Sequence, residues 1–158
     1  MISTDDLKKF KIFSELTDSE LEKINIKGHP GEFEADSIIF KEGEPAEHVY
    51  FLISGKILLE QRITSEMTVT VDTLKSGDTL GTAAIMGIHN YTMDANVAET
   101  SELLIVNAHE FSTALAENPD IGFKILKSLC LEMKKQVTER TELFVRSISN
   151  HPDFDEFE

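Results

Sequence analysis

The sequence has a single cysteine, Cys130, and no tryptophan. One thiol cannot close an internal disulfide, so the fold must stand on its own core, and a reduced, cytoplasmic setting is the simplest expectation. Long hydrophobic runs are also missing. The longest, Val49 to Ile53, is far too short to cross a bilayer. No basic segment followed by an apolar one opens the chain, as a secretory signal would. No membrane partner is expected. Positive charge is scarce: 15 Lys and Arg against 29 Asp and Glu give a formal net charge of −14. Such a chain repels phosphate backbones, and direct nucleic-acid binding would need a concentrated basic patch. The nearest group, Lys124, Lys127, Lys134 and Lys135, is interleaved with Glu132, Glu139 and Glu142, the pattern of a solvated helix face.

What is present reads as one mainly β domain with flanking helices. Helical segments are expected over 3–27, a β-roll over 29–107, C-terminal helices over 108–149 and an acidic tail over 150–158. Thr17-Asp18-Ser19-Glu20 is a capping box ahead of Leu21 and Ile24, and Gly28-His29-Pro30-Gly31 reads as the stop of that helix. Short β-branched and aromatic runs follow, separated by turn signals such as Gly43-Glu44-Pro45, Ser54-Gly55 and Ser76-Gly77-Asp78. Thr68 to Leu74 alternates as a half-buried strand does, with Val69 and Val71 on one face. Two separate closing strands are expected at 95–98 and 103–106. Roughly eight short strands at this spacing describe a jelly roll.

Asn107 with Glu110 suits the head of a short helix, and Asn118-Pro119-Asp120 the head of a long one. That long helix carries two apolar stripes. Ile121, Ile125 and Leu129 step by four and suit packing on the roll. Leu126, Cys130, Met133, Val137, Phe144 and Ile148 approach a coiled-coil seam, with Arg140 at the missing place. The far half of so long a helix outruns a small roll, so the second stripe predicts a homodimer through Leu126, Met133, Val137, Phe144 and Ile148. The tail from His151 to Glu158, acidic with two phenylalanines, suits either a solvated end or a short docking motif for a protein effector.

The run from Phe40 to Ile57, with Gly43, Glu44-Pro45-Ala46-Glu47, the apolar Val49–Ile53 and Ser54-Gly55, resembles the opening signature of cyclic-nucleotide-binding domains. Leu74-Lys75-Ser76-Gly77-Asp78-Thr79-Leu80-Gly81 is similar to the opening of that family's phosphate-binding cassette. Phe13 to Leu21 is similar to its lead-in helix, and Val97-Ala98-Glu99-Thr100 to the strand after the cassette. The resemblance implies a β-roll that binds cyclic AMP or cyclic GMP. A cassette glutamate would hold the ribose and a cassette arginine the phosphate, and the C-terminal helices would relay the signal. Many bacterial relatives append a helix-turn-helix. Here about ten residues follow the long helix, so any effect on transcription is expected to pass through a partner.

The cassette departs from this pattern. The glutamate's place is Thr82, the arginine's places are Tyr91 and Thr92, and no Lys or Arg occurs from Ser76 to Phe123. The candidate ligand-binding points are Gly81, Thr82, Ala83 and Ala84, on a short helix with free amides, together with Tyr91 and Thr92. His89 reads as an ordinary loop histidine. Two readings follow: the roll takes a different, less anionic ligand, or its pocket is unused and the domain serves dimerisation or docking. Ordinary binding of cyclic AMP or cyclic GMP is the alternative. A cupin-like metalloenzyme is a second one, but the five histidines form no H-x-H pair and no H-E-x-x-H helix. A regulatory binding module without catalytic or metal residues is the expectation.

Overall fold

A computed structural model describes residues 3–149. The N-terminal segment forms α1 (Thr4–Leu7), a 3-10 turn at Lys11–Phe13, and α2 (Asp18–Ile24). The capping box of α2 is complete: the Thr17 hydroxyl accepts the Glu20 amide, and the Glu20 carboxylate accepts the Thr17 amide. The helix ends sooner than Gly28-His29-Pro30-Gly31 suggests. Asn25 caps it in the left-handed conformation, and the supposed stop signal lies within strand β1 (Gly28–Phe33). β1 is an edge strand, where the N–H missing from Pro30 costs least.

Strands β2 (Ile38–Phe40), β3 (His48–Arg62), β4 (Thr68–Lys75), β5 (Thr79–Leu80) and β6 (Asp94–Asn107) complete an antiparallel sheet. Its order is β1-β6-β3-β4, with β2 paired to β6 and β5 to β3. The expected roll is present, in six strands among the described residues and not eight. β3 runs unbroken through Gly55, and β6 through Glu99–Ser101. These two bends lie against each other. Gly55 has φ +97°, and a Cβ on it would run into Ser101. The Ser101 hydroxyl donates to the Glu99 carbonyl at 2.6 Å and accepts the Lys56 amide at 3.1 Å. The turn-forming residues bend two paired strands without ending them.

β3 lacks apolar–polar alternation because both of its faces are buried. Val49 and Phe51 join the core under the helices, while Tyr50 and Leu52 point into the roll beside Ile57, Val97 and Leu103. Phe51 lies 5.2 Å from Phe10 and 5.2 Å from Phe13, ring centre to ring centre, and meets Phe111 edge-on at 6.1 Å. This aromatic knot ties the N-terminal segment to the sheet and, through Phe111, to the helix that follows β6. β4 departs from the expected alternation. Val69 is exposed, and the strand's buried residue is Leu74; between them the register slips, β3 pairing Leu59 with Asp72 but Glu60 with Thr70.

Asn107 caps α3 (Ala108–Glu117), accepting the Glu110 amide at 3.0 Å, and α4 (Pro119–Ser149) begins on Pro119. Ile121, Ile125 and Leu129 are buried in the helical core, as expected. Further along α4 the contacts to the roll become polar, and Gln136 and Arg140 both reach Asp72 on β4. The acidic tail, 150–158, lies outside the described residues. Among those residues no helix is long and apolar enough to cross a membrane.

Candidate functional site

The cassette runs from β5 through Gly81, a 3-10 helix at Thr82–Met86 and a loop, back into β6. The short helix expected after Gly81 is there, as a 3-10 helix of five residues. So few aligned peptides sum to a small dipole. The Ala84 amide is returned to the Gly81 carbonyl at 3.2 Å. Gly81, Thr82, Ala83 and Ala84 are half-buried, and Thr92 is exposed at the far end of the loop. The six sequence candidates therefore share one segment but not one environment.

Tyr91 is the exception, because it is buried. Its ring stacks on Phe40 with centroids 3.8 Å apart and planes 12° apart. Phe40 in turn lies 5.8 Å from Tyr50. The Tyr91 hydroxyl donates to the His48 carbonyl at 2.9 Å and accepts the His48 amide at 3.3 Å. Gly81 has φ +73°, and a Cβ on it would come within 2.8 Å of the His48 oxygen and 3.2 Å of the Tyr91 ring. The glycine thus lets the cassette close over Tyr91 and His48.

Backbone bonds lace the loop to the turn between β2 and β3. The Gly43 amide donates to the Tyr91 carbonyl at 2.8 Å, and the Tyr91 amide to the Glu44 carbonyl at 2.9 Å. The Ala46 amide donates to the His89 carbonyl at 2.8 Å. Asn90 Nδ2 donates to the Gly43 carbonyl at 2.7 Å, and the Glu42 amide to Asp94 Oδ1 at 2.7 Å.

The electrostatics match this closed arrangement. Burial pushes the Tyr50 hydroxyl well above the usual phenol range and raises that of Tyr91, and the carboxylates of Glu44 and Glu47 add to the effect. Both phenols stay neutral across the physiological range. A groove of about 730 Å³ lies on the outer side of the cassette, where Glu47, His89, Asn107 and His109 line it without a lysine or arginine. Among the described residues no group of three His, Cys, Asp or Glu is placed to hold a metal ion.

Sequence reasoning missed the seat of Tyr91, made by Phe40, His48 and Tyr50. Tyr50 and Leu52 share a strand face, which was a usable signal. Nothing in the spacing showed that Tyr91 would turn inward to meet them. On α4, Leu126, Cys130, Met133, Val137, Phe144 and Ile148 are all exposed, away from the buried stripe of Ile121, Ile125 and Leu129.

The family model of the cyclic nucleotide-binding domain matches residues 30–118. The global nitrogen regulator of Nostoc sp. is 28% identical over 120 residues, which cover 75% of this chain and 52% of that protein. The anaerobic regulatory protein of Bacillus subtilis is 25% identical over 116 residues, 73% of this chain and 48% of that one. The chain thus spans about half the length of these relatives. A cyclic nucleotide-binding domain from Methylobacillus flagellatus superposes with a TM-score of 0.75 at 15% identity, over 90% of this chain and 80% of the other. The sensor domain of the transcriptional regulator DNR from Pseudomonas aeruginosa gives 0.68 at 21% identity, over 85% and 91%. These two likenesses speak for the fold. With the β-roll, the glycine-framed cassette and a family match over more than half its length, the chain belongs to the cyclic nucleotide-binding domain family.

Proposed function

We propose that this module is non-enzymatic and works without a tightly bound cyclic nucleotide, passing its signal through α4 to a second copy and to a protein effector. One observation carries the reading: at the place of the family's cassette arginine, Tyr91 turns into the roll and spends its hydroxyl on His48. A buried phosphate that lacks its cation forfeits roughly 2–5 kcal/mol. That is about thirty- to several-thousand-fold in affinity. The carboxylates of Glu44 and Glu47 and the overall charge of −14 work in the same direction. A five-residue 3-10 helix cannot make up the difference.

The homodimer reading rests on α4. Val137 and Phe144 are 61% and 63% exposed, and they continue the stripe of Leu126 and Met133. An apolar stripe of this extent on a helix calls for a cover, and its near-heptad spacing fits an identical helix best. The overall charge of −14 speaks against direct nucleic-acid binding by this chain. Cys130 is free and exposed, which fits a reducing, cytoplasmic setting.

Calorimetry with cyclic AMP and cyclic GMP tests the pocket reading. Dissociation constants in the high-micromolar range or weaker are expected. Sub-micromolar binding of either nucleotide would overturn it and favour an ordinary cyclic-nucleotide sensor.

A further inference from the structure

Tyr91 sits in the roll as a bound molecule would. Its ring lies flat on Phe40, with Gly81 close on the ring's edge. Its hydroxyl is held by His48, which offers one acceptor and one donor, with the Tyr50 hydroxyl beside it. Its backbone belongs to the cassette loop and is bonded to the Gly43–Glu44 turn in both directions. The neighbours on either side, Asn90 and Thr92, are exposed. One buried ring between exposed neighbours pins a loop that otherwise buries little, and such loops open most easily when their anchor is lost.

We propose that Tyr91 is the roll's resident occupant: it holds the cassette closed with no ligand bound, and the seat it fills is selective for a neutral phenol ring. This rests on the reading of the pocket as independent of cyclic nucleotide, and it names the chemistry the seat accepts. Stacking on Phe40 selects a flat apolar ring. The paired carbonyl and amide of His48 match one hydroxyl, which both donates and accepts. No lysine or arginine of the cassette stands by to neutralise a phosphate.

Removing the ring from the full chain and offering it back tests the proposal. Tyr91→Ala is expected to melt roughly 10 °C lower. Saturating p-cresol is expected to restore roughly 5 °C or more while leaving the wild type almost unmoved. Toluene, with the same ring and methyl but no hydroxyl, restores less, and cyclic AMP restores nothing. Hydrogen exchange should report the same cycle. The backbone amides of Ala46 and of position 91 should be protected in the wild type and in the p-cresol-loaded variant, and open in the empty one. Tyr91→Leu runs beside it as a milder truncation. If neither variant folds alone, recovery on refolding with p-cresol supports the proposal, and no recovery overturns it. It is also overturned if p-cresol moves the variants no more than the wild type, or if cyclic AMP does as well. Tight cyclic AMP binding by the wild type would sink the underlying pocket reading, whereas failure of p-cresol alone leaves that reading standing.

Discussion

Gln136 of α4 donates Nε2 to Asp72 Oδ2 of β4 at 2.8 Å, and Arg140, one turn further on, approaches the same oxygen at 3.9 Å. Here α4 is held to the roll by polar contacts. One turn earlier sits Glu132, half-buried, with Lys11, Asp78, Asp72 and Lys135 acting on it. Lys11 is itself paired with the buried Asp78. Desolvation is the largest influence on Glu132, and Asp78 and Asp72 add repulsion. Together they outweigh Lys11 and raise its pKa from the ordinary 4.5.

A carboxyl with a raised pKa in the fold holds its proton more tightly there than in the unfolded chain. Its contribution to stability is full below 4.5 and is lost as pH rises through the raised value. Glu132→Gln, which cannot ionise, is therefore expected to be more stable than the wild type at neutral pH. The two should converge below about pH 4. Urea midpoints across that range check this. A variant less stable than the wild type at pH 7 would mean that the attraction to Lys11 wins.

Backbone strain gives a second, graded expectation. Gly43, Gly55 and Gly81 all have positive φ, but a Cβ meets nothing within 4 Å at Gly43 and runs into neighbours at the other two. Alanine at Gly43 carries the conformational cost alone, about 1 kcal/mol. At Gly55 and Gly81 it must also displace Ser101 or His48, and roughly 2–4 kcal/mol is expected. Equal losses at all three positions, read from urea melts, would show that φ alone decides.

The roll was legible because its signals are local. The Thr17–Glu20 box, the Asn107 cap and Pro119 at the head of α4 each act within one helical turn, and each is realised. The strand count was not legible, because Gly55 and Glu99–Ser101 carry the composition of turns yet are bends in paired strands. Only their mutual contact, 45 residues apart for Lys56 and Ser101, keeps β3 and β6 continuous. The loss of the cassette's cation was visible in the sequence. Its replacement by an inward ring was not, since stacking of Tyr91 on Phe40 joins two segments whose spacing encodes no such pairing.

The seam on α4 makes a concentration-dependent claim. Val137→Asp places a charge in the middle of the exposed stripe and leaves the buried stripe of Ile121, Ile125 and Leu129 untouched. Light scattering is expected to give a dimer for the wild type and a monomer for the variant. Cys130 falls within the same stripe, so in a parallel dimer mild oxidation of the wild type is expected to yield a disulfide-linked pair, at a yield cut sharply by Val137→Asp. A monomeric wild type, or crosslinking indifferent to the variant, would remove the homodimer reading.

Charge and occupancy in the cassette are separable by substitution. If only the missing charges weaken cyclic nucleotide binding, Thr82→Glu with Thr92→Arg restores the family's pair and should raise cyclic AMP affinity by roughly tenfold or more. Thr92 is exposed and Thr82 half-buried, so both substitutions have room. The ring of Tyr91, however, remains stacked on Phe40, and the loop remains bonded to Gly43 and Glu44. A nucleotide would have to break those contacts before its phosphate met the new arginine. The double variant is therefore expected to bind cyclic AMP no better than the wild type, within about a factor of three, since less than roughly 0.7 kcal/mol separates such values. Adding Tyr91→Gly should release the gain. Calorimetry on the double and triple variants reads both steps, and a strong gain in the double variant alone would show that charge, and not the resident ring, closes the pocket to nucleotides.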